Sequence, residues 1–172
     1  MAEDAERAND VFITGLQNAH ALENQALELM HRQVERIENY PDVKAKLQQH
    51  IDETHGQIER LEKILEQHGH SRSVLKDNLL SITGNMAAFT HAFTQDEIIK
   101  NSIANFAFEN FEIASYKSLL ELAELTGQTD AKQPLEQSLR EEEQMAQWLD
   151  QHLPEVTSTY LHRYAANEKA GL

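Results

Sequence analysis

Apolar residues recur along this chain at spacings of three, four and seven, the period of amphipathic α-helices. A first helix is predicted over residues 10–38, and residues 39–42 form a turn. Pro41 in this turn suits the first position of a second helix, which is predicted to run to about residue 67 and to end at Gly69 and Ser71. The apolar positions that define the first helix are Phe12, Leu16, Leu27, Met30, Val34 and Ile37.

The middle of the chain is less regular. Residues 73–93 could form a short helix that Gly84 interrupts, and we interpret the stretch as a crossover to the far end of a bundle. A third helix is predicted over residues 95–126, with Gly127 as its carboxyl-terminal cap. The apolar face of this third helix comprises Ile99, Ile103, Phe106, Ile113, Tyr116 and Leu120.

The last part of the chain predicts a fourth helix and a short fifth one. The fourth helix is expected from Pro134 to Leu153, since proline suits a helix start and Pro154 interrupts the pattern. A short helix over residues 154–166 would then cross one end of the bundle or reach a partner chain. Two helical hairpins joined by one long connection have the connectivity of a ferritin-like four-helix bundle. The sequence therefore predicts an all-α single domain over residues 1–172, with its core at 10–153.

Composition narrows the function. A net charge of −14 over 172 residues argues against a nucleic-acid partner and against an anionic membrane surface. The chain has no cysteine, which excludes disulfides, thiolate catalysis, iron–sulfur clusters and cysteine-ligated zinc. It has neither a signal-peptide pattern at its start nor an apolar run of membrane length, so we expect a cytoplasmic protein.

Acidic residues occupy positions on the predicted apolar faces. Glu23 falls on the buried stripe of the first helix, Glu109 and Glu112 on that of the third beside Tyr116, and Glu142 on that of the fourth. A carboxylate buried without a partner costs several kcal/mol, as an order of magnitude, and several facing one another cost more. Protons or cations that bind among them would remove this cost.

The positions of the glutamates along the bundle axis independently indicate a shared site. Glu23, Glu53, Glu109 and Glu142 each lie at a similar distance from the turn of their own hairpin, roughly 20–27 Å at a rise of about 1.5 Å per residue. Four glutamates from four helices are therefore expected to converge at one level. This is the arrangement that a dinuclear carboxylate site needs.

The second helix offers more than one candidate metal ligand. Glu53 lies toward the flank of the apolar stripe, whereas His50, one turn before it, faces inward more directly. His55 is a weaker candidate, which forms an acid-x-x-His match with Asp52, although Asp52 points outward. We favour Glu53 together with His50.

The usual di-iron signature is Glu-x-x-His on two helices. Here Gly56 stands three residues after Glu53, and Met145 stands three residues after Glu142. The chain therefore departs from that signature on both helices.

The segments HIDETHGQIERLE at 50–62 and FENFEIASY at 108–116 resemble the YciE/YciF-type ferritin-like family. ALENQ at 21–25 and EEE at 141–143 fit the first and fourth helices of the same family, and the resemblance covers residues 11–153. It implies a bacterial, dimeric, stress-associated protein with a ferritin-like fold and a dinuclear metal centre.

Two details qualify the resemblance. Glu109-x-x-Glu112 looks like the paired glutamates on one helix of rubrerythrins, but the chain lacks the cysteines of a rubredoxin-type electron relay. Asn110 stands where family members often carry histidine, which puts a role for this position in doubt.

Our leading hypothesis is redox chemistry at two iron ions, or alternatively two manganese ions. Such a centre could reduce peroxide or dioxygen while oxidising ferrous iron, in an oxidative or general stress response. Tyr116 could hydrogen-bond a ligand or donate an electron, as the candidate catalytic residue. The candidate metal ligands are Glu23, His50, Glu53, Glu109, Glu112 and Glu142.

Two other classes of protein stay open. One is a non-enzymatic homodimer, a stress-induced helical scaffold with a hydrated or adventitiously metallated core. Ala104, Phe108, Phe111 and Leu122 lie away from the metal-facing stripe and could cover the crossover or form a dimer seam. The other class is a mineral-storing cage, which the resemblance favours less than a dimer.

Overall fold

The computed structural model describes residues 2–70 and 95–172, with side chains from residue 6 onward. This part of the chain is helical and contains no strand. The crossover predicted at residues 73–93 lies outside the described residues. The helices are α1 (Ala2–Arg36), α2 (Pro41–Gln67), α3 (Glu97–Leu125) and α4 (Thr129–Ala165).

Helices α1 and α3 pack antiparallel. The end of α1 meets the start of α3 where Arg36 Nη2 donates to Glu97 Oε2 at 2.5 Å. At the opposite end, Gln128 Nε2 donates to Asn9 Oδ1 at 3.1 Å. The chain therefore runs up in α1 and down in α3.

Helices α2 and α4 are also antiparallel to each other. Arg60 Nε donates to Ser138 Oγ at 3.0 Å, and one turn earlier in α2 Gln57 donates to Glu142, which lies one turn later in α4. Since short turns also make α1–α2 and α3–α4 antiparallel, the four directions are up, down, down and up. This confirms two antiparallel hairpins and an all-α bundle of the ferritin-like type.

The hairpin turns follow the predicted chemistry. Pro41 is the first residue of α2, where its missing N–H has no helical partner to lose. Gly127 has φ of +72°, a conformation that glycine adopts without steric cost, and Gln128 N donates to Ala123 O at 2.8 Å. These two features form a Schellman-type end for α3 and confirm Gly127 as its cap.

The predicted break at Pro154 is wrong, because α4 continues from Thr129 through Pro134 and Pro154 to Ala165. No separate carboxyl-terminal helix follows Leu153 within the described chain. A proline inside a helix costs about 3 kcal/mol. Buried side chains on both sides of it, Leu149 and Val156, belong to one hydrophobic cluster and hold the helix together, while Pro154 itself faces solvent.

Helix α1 likewise begins at Ala2 rather than near residue 10. The predicted inward position of Ile103 is also wrong, because its side chain is 52% exposed. Ile103 lies about 120° around α3 from Glu109, at 100° per residue, and so falls off the buried stripe.

Two hydrophobic clusters fill the bundle. One contains Met30, Leu47 and Leu149, and the other contains Leu16, Leu61 and Leu135. A layer of polar side chains lies between them along every helix. This layer is where the candidate site is found.

Candidate metal centre

The polar layer takes side chains from all four helices. α1 supplies Glu23, α2 His50, α3 Glu109, Glu112 and Tyr116, and α4 Glu142, and each is at most 3% exposed. The helical repeat places each one on the stripe that faces the other helices. The convergence predicted from the turn distances is therefore present, with Glu53 at its edge, where its side chain is 21% exposed.

His50 is the residue that connects the carboxylates. Its Nδ1 lies 2.9 Å from Glu53 Oε2, and its Nε2 lies 3.2 Å from Glu109 Oε2 and 3.5 Å from Glu142 Oε2. His50, Glu109 and Glu142 each offer a ligand atom within 4.8 Å of the others. One metal ion between these three groups requires ligand atoms that close together.

Tyr116 is tied to the first helix. Its hydroxyl donates to Glu23 Oε1 at 2.5 Å, and both side chains are buried. Burial raises the pKa of the Tyr116 phenol well above its usual value, and the Glu23 carboxylate raises it further. Tyr116 is therefore a phenol that points its proton at the polar layer.

Several carboxylate oxygens in the layer have no hydrogen-bond partner. Both oxygens of Glu112 are in this position, as is Oε2 of Glu23 and of Glu142. Glu109 Oε2 is near His50 Nε2 but is not aligned with it for a hydrogen bond. A buried polar atom left unpaired costs about 1–3 kcal/mol, and more when it carries charge. These oxygen donors therefore fit a bound cation, which would contact the carboxylate oxygens that have no hydrogen-bond partner.

The pKa values of the buried side chains indicate which of them carry protons when no metal is bound. Burial raises the pKa values of Glu23 and Glu112 well above their usual range, and neighbouring carboxylates raise them further. Burial also raises the pKa of Glu142, to about 8. Burial alone would lower the pKa of His50, but Glu109 and the adjoining carboxylates raise it well above 6.5. Without a metal, the layer holds protons at neutral pH.

The structure adds residues that the sequence reasoning did not select. Gln57 is fully buried and donates its amide N–H to Glu142 Oε1. Arg60 donates to Ser138 and to Glu141 across the α2–α4 seam. Gln57 could have been found, because it lies on the buried stripe of α2 one turn after Glu53. Arg60 and Ser138 carry no comparable signal, since each lies beside acidic or apolar neighbours in an ordinary helix pattern.

The remaining candidates lie away from the layer. Asp52 and His55 are exposed, so the structure does not bring His55 into the cluster. Met145 is fully buried within a hydrophobic cluster. His50, which lies three residues before Glu53 rather than three after it, is the imidazole that α2 contributes.

Fold and site together define a ferritin-like four-helix bundle with a buried histidine–carboxylate cluster. The chain belongs to the family described as Domain of unknown function (DUF892), whose model matches residues 7–162. This agrees with the YciE/YciF-type resemblance of the sequence segments. Among the described residues, no helix contains a weakly charged apolar stretch of the length that a transmembrane span requires.

Individual relatives support the assignment. Protein YciF of Escherichia coli K12 is 28% identical over 140 residues, which are 77% of this chain and 82% of that protein. The crystal structure of a Xanthomonas campestris protein matches with a TM-score of 0.77 at 29% identity, covering 92% of this chain and 99% of that one. The structure of the E. coli stress protein YciF matches in fold with a TM-score of 0.68 at 24% identity, over 85% and 94% of the two chains.

Proposed function

We propose that the buried cluster binds two divalent metal ions, iron or manganese, and that the protein uses them to reduce peroxide or dioxygen while oxidising ferrous iron. The observation that carries this proposal is the set of buried carboxylate oxygens without a hydrogen-bond partner, above all the two oxygens of Glu112. Such oxygens destabilise the fold unless a proton or a cation meets them.

Charge balance favours a pair of ions over one. Four buried carboxyl groups, Glu23, Glu109, Glu112 and Glu142, accompany a single imidazole, that of His50. Two divalent cations supply four positive charges, which balance the four buried carboxylates beside a neutral histidine. Glu53 is not counted here, because its side chain is partly exposed and solvent can stabilise its charge. Oxygen donors with one imidazole also suit iron and manganese.

Of the six proposed ligands, five are buried and one, Glu53, is partly exposed. Glu53 would complete the shell from its partly exposed edge, and its present contact with His50 Nδ1 would orient that ring. When bound, a metal pair of this kind supplies one-electron redox steps for small oxidants. The five buried ligands would be Glu23, His50, Glu109, Glu112 and Glu142.

The chain contributes more than ligands. The Tyr116 hydroxyl oxygen lies 2.5 Å from Glu23 Oε1 and donates its proton to it, and Gln57 fixes Glu142 through its amide N–H. The hydrophobic clusters above and below the layer exclude water and so strengthen each electrostatic contact within it. These residues would orient ligands and control the proton near the first helix.

A second candidate is a non-enzymatic homodimer that acts as a scaffold in stress. Its supporting observation is the apolar surface on α3, where Phe111 is 62% exposed, Ile103 52% and Leu125 71%. Phe108, which the sequence placed beside Phe111, is instead buried. The setting of stress is proposed from the name of the E. coli relative.

Metal analysis of protein made without an affinity tag separates the two candidates. After chelation and anaerobic reconstitution with Fe²⁺ or Mn²⁺, we expect about two equivalents per chain by the charge balance above. Glu109→Gln should lose most of this metal, whereas Glu121→Gln, an exposed change on the same helix, should not. Equal trace metal in all three proteins would favour the scaffold, and peroxide-consumption and ferrous-oxidation assays would then test turnover in a metallated protein.

A further inference from the structure

A second pair of potential metal ligands lies outside the buried layer. His31 on α1 and His55 on α2 are both exposed, and their ring centroids are 6.3 Å apart with an interplanar angle of 56°. Neither ring forms a hydrogen bond or an ion pair with another residue of the described chain. Their nitrogens are therefore available to a ligand from solvent.

The separation of the rings can be compared with that of a chelate. A transition metal binds imidazole nitrogen at about 2.0–2.1 Å, and the ring centroid lies roughly 1.1 Å farther out. Two imidazoles on one ion therefore place their centroids about 4.5 Å apart at a right angle and about 6.4 Å apart when opposite. The observed 6.3 Å matches the nearly opposite arrangement, in which one nitrogen of each ring would face the ion from either side.

The surroundings of the pair favour a cation. Acidic residues lie three or four positions from each histidine and so share its helix face. They can attract the ion and offer carboxylate oxygens to complete its coordination. These residues are Glu35 on α1 and Asp52 and Glu59 on α2, together with Glu28, whose carboxylate also pairs with Arg32.

We propose that His31 and His55 form a surface site for one transition-metal ion of the kind that imidazole prefers, such as Cu²⁺, Ni²⁺ or Zn²⁺. The site bridges α1 and α2 on their solvent side. It differs in chemistry from the carboxylate-rich layer inside the bundle. It does not depend on that layer being metallated.

Copper titration of tag-free protein tests this site. Paramagnetic resonance of the bound Cu²⁺ reports how many imidazole nitrogens hold the ion. We expect a two-nitrogen species that His31→Gln and His55→Gln each remove, with the number of bound Cu²⁺ ions falling by one. Because a single imidazole cannot chelate, affinity at this site should fall at least about tenfold.

His162→Gln, a change at an exposed histidine on α4, is the matched control and should keep the two-nitrogen signal. Circular dichroism and a thermal melt confirm that each variant folds, as expected for exposed positions. Titration of Glu112→Gln separates the surface site from the buried layer, because the two-nitrogen species should persist there. Copper that binds His31→Gln or His55→Gln within twofold of the unmodified protein, or a signal from one nitrogen only, would overturn the proposal.

Discussion

The hydroxyl of Tyr116 on α3 donates a hydrogen bond to Glu23 on α1, 2.5 Å from Oε1, with both side chains buried. The other oxygen of Glu23 has no partner. The phenol therefore fixes one side of this carboxylate and leaves the other side directed into the polar layer.

Replacing Tyr116 by Phe should remove the only hydrogen bond made to Glu23 among the described residues. We expect a loss of about 1–3 kcal/mol in unfolding free energy, the cost of an unsatisfied buried acceptor. Denaturant titration measures it, with Tyr160→Phe, a partly buried tyrosine on α4, as the control. If Tyr116 also serves the proposed redox reaction, the metallated variant should bind metal normally but oxidise ferrous iron several-fold more slowly.

Glu112→Gln should have opposite effects on the metal-free and metal-bound protein. Removing an ionisable group whose two oxygens are both unpaired should stabilise the metal-free bundle at pH 8 by about 1–4 kcal/mol. The same change should weaken metal binding, because an amide is a poorer ligand than a carboxylate. Thermal melts with chelator and with Mn²⁺ measure both effects. A metal-free variant less stable than the unmodified protein would contradict this account of the layer.

Metal-free protein should become less stable as pH rises from 5 to 8.5. Burial raises the pKa of Glu142 to about 8, and it also raises those of Glu23 and Glu112. A carboxyl with a raised pKa binds its proton more tightly when folded, so its stabilising effect is full below 4.5 and lost as pH passes through the folded value. The protonated form of His50 acts in the same direction, since its folded pKa is also raised.

The expected loss is on the order of a few kcal/mol in unfolding free energy, measured by urea titration with chelator present. Glu142→Gln should flatten the pH profile, and saturating Mn²⁺ should reverse it, because metal binding displaces the protons. Glu53, whose pKa is lowered by its contact with His50, would destabilise the protein only under acid conditions below about 4.5. Constant stability from pH 5 to 8.5 would argue against charge crowding in the layer.

The seam between α2 and α4 depends on Arg60. Its guanidinium donates to Ser138 Oγ at 3.0 Å and to Glu141 Oε2, and it lies over Gly56, where an added Cβ would be 3.3 Å from Nη1. Arg60→Gln should cost about 1–3 kcal/mol, because the Arg60 and Glu141 side chains are only 16% and 17% exposed and the change removes the guanidinium from both Glu141 and Ser138. Lys63→Gln, at an exposed position one turn later in α2, should change stability by less than about 0.5 kcal/mol.

The sequence predicted the bundle well because its strongest signals are local and periodic. The α1–α2 turn at Pro41 and the end of α3 at Gly127 were confirmed, since each depends on the backbone preference of one residue. The continuity of α4 through Pro154 was not predictable in this way. It depends on packing of Leu149 and Val156 against other helices, which no local pattern reports.

The residues of the candidate site were likewise predictable where a local periodic pattern marks them. Glu23, Glu109, Glu112 and Glu142 break the apolar stripes of their helices, so helical periodicity alone placed them inside. At α2 the sequence favoured His50 over His55 because His50 faces the apolar stripe. The structure buries His50 beside Glu53 and Glu109 and leaves His55 exposed.

The participation of every described helix in the polar layer has a consequence for synthesis. The amino-terminal hairpin emerges from the ribosome first, and of the buried ligands it carries only Glu23 and His50. Glu109, Glu112 and Glu142 all belong to the second hairpin, so the repulsion among these three acids begins when that hairpin forms. Glu23 joins them when the two hairpins dock. Under the proposed function, metal loading is therefore expected only after Glu142 has been translated.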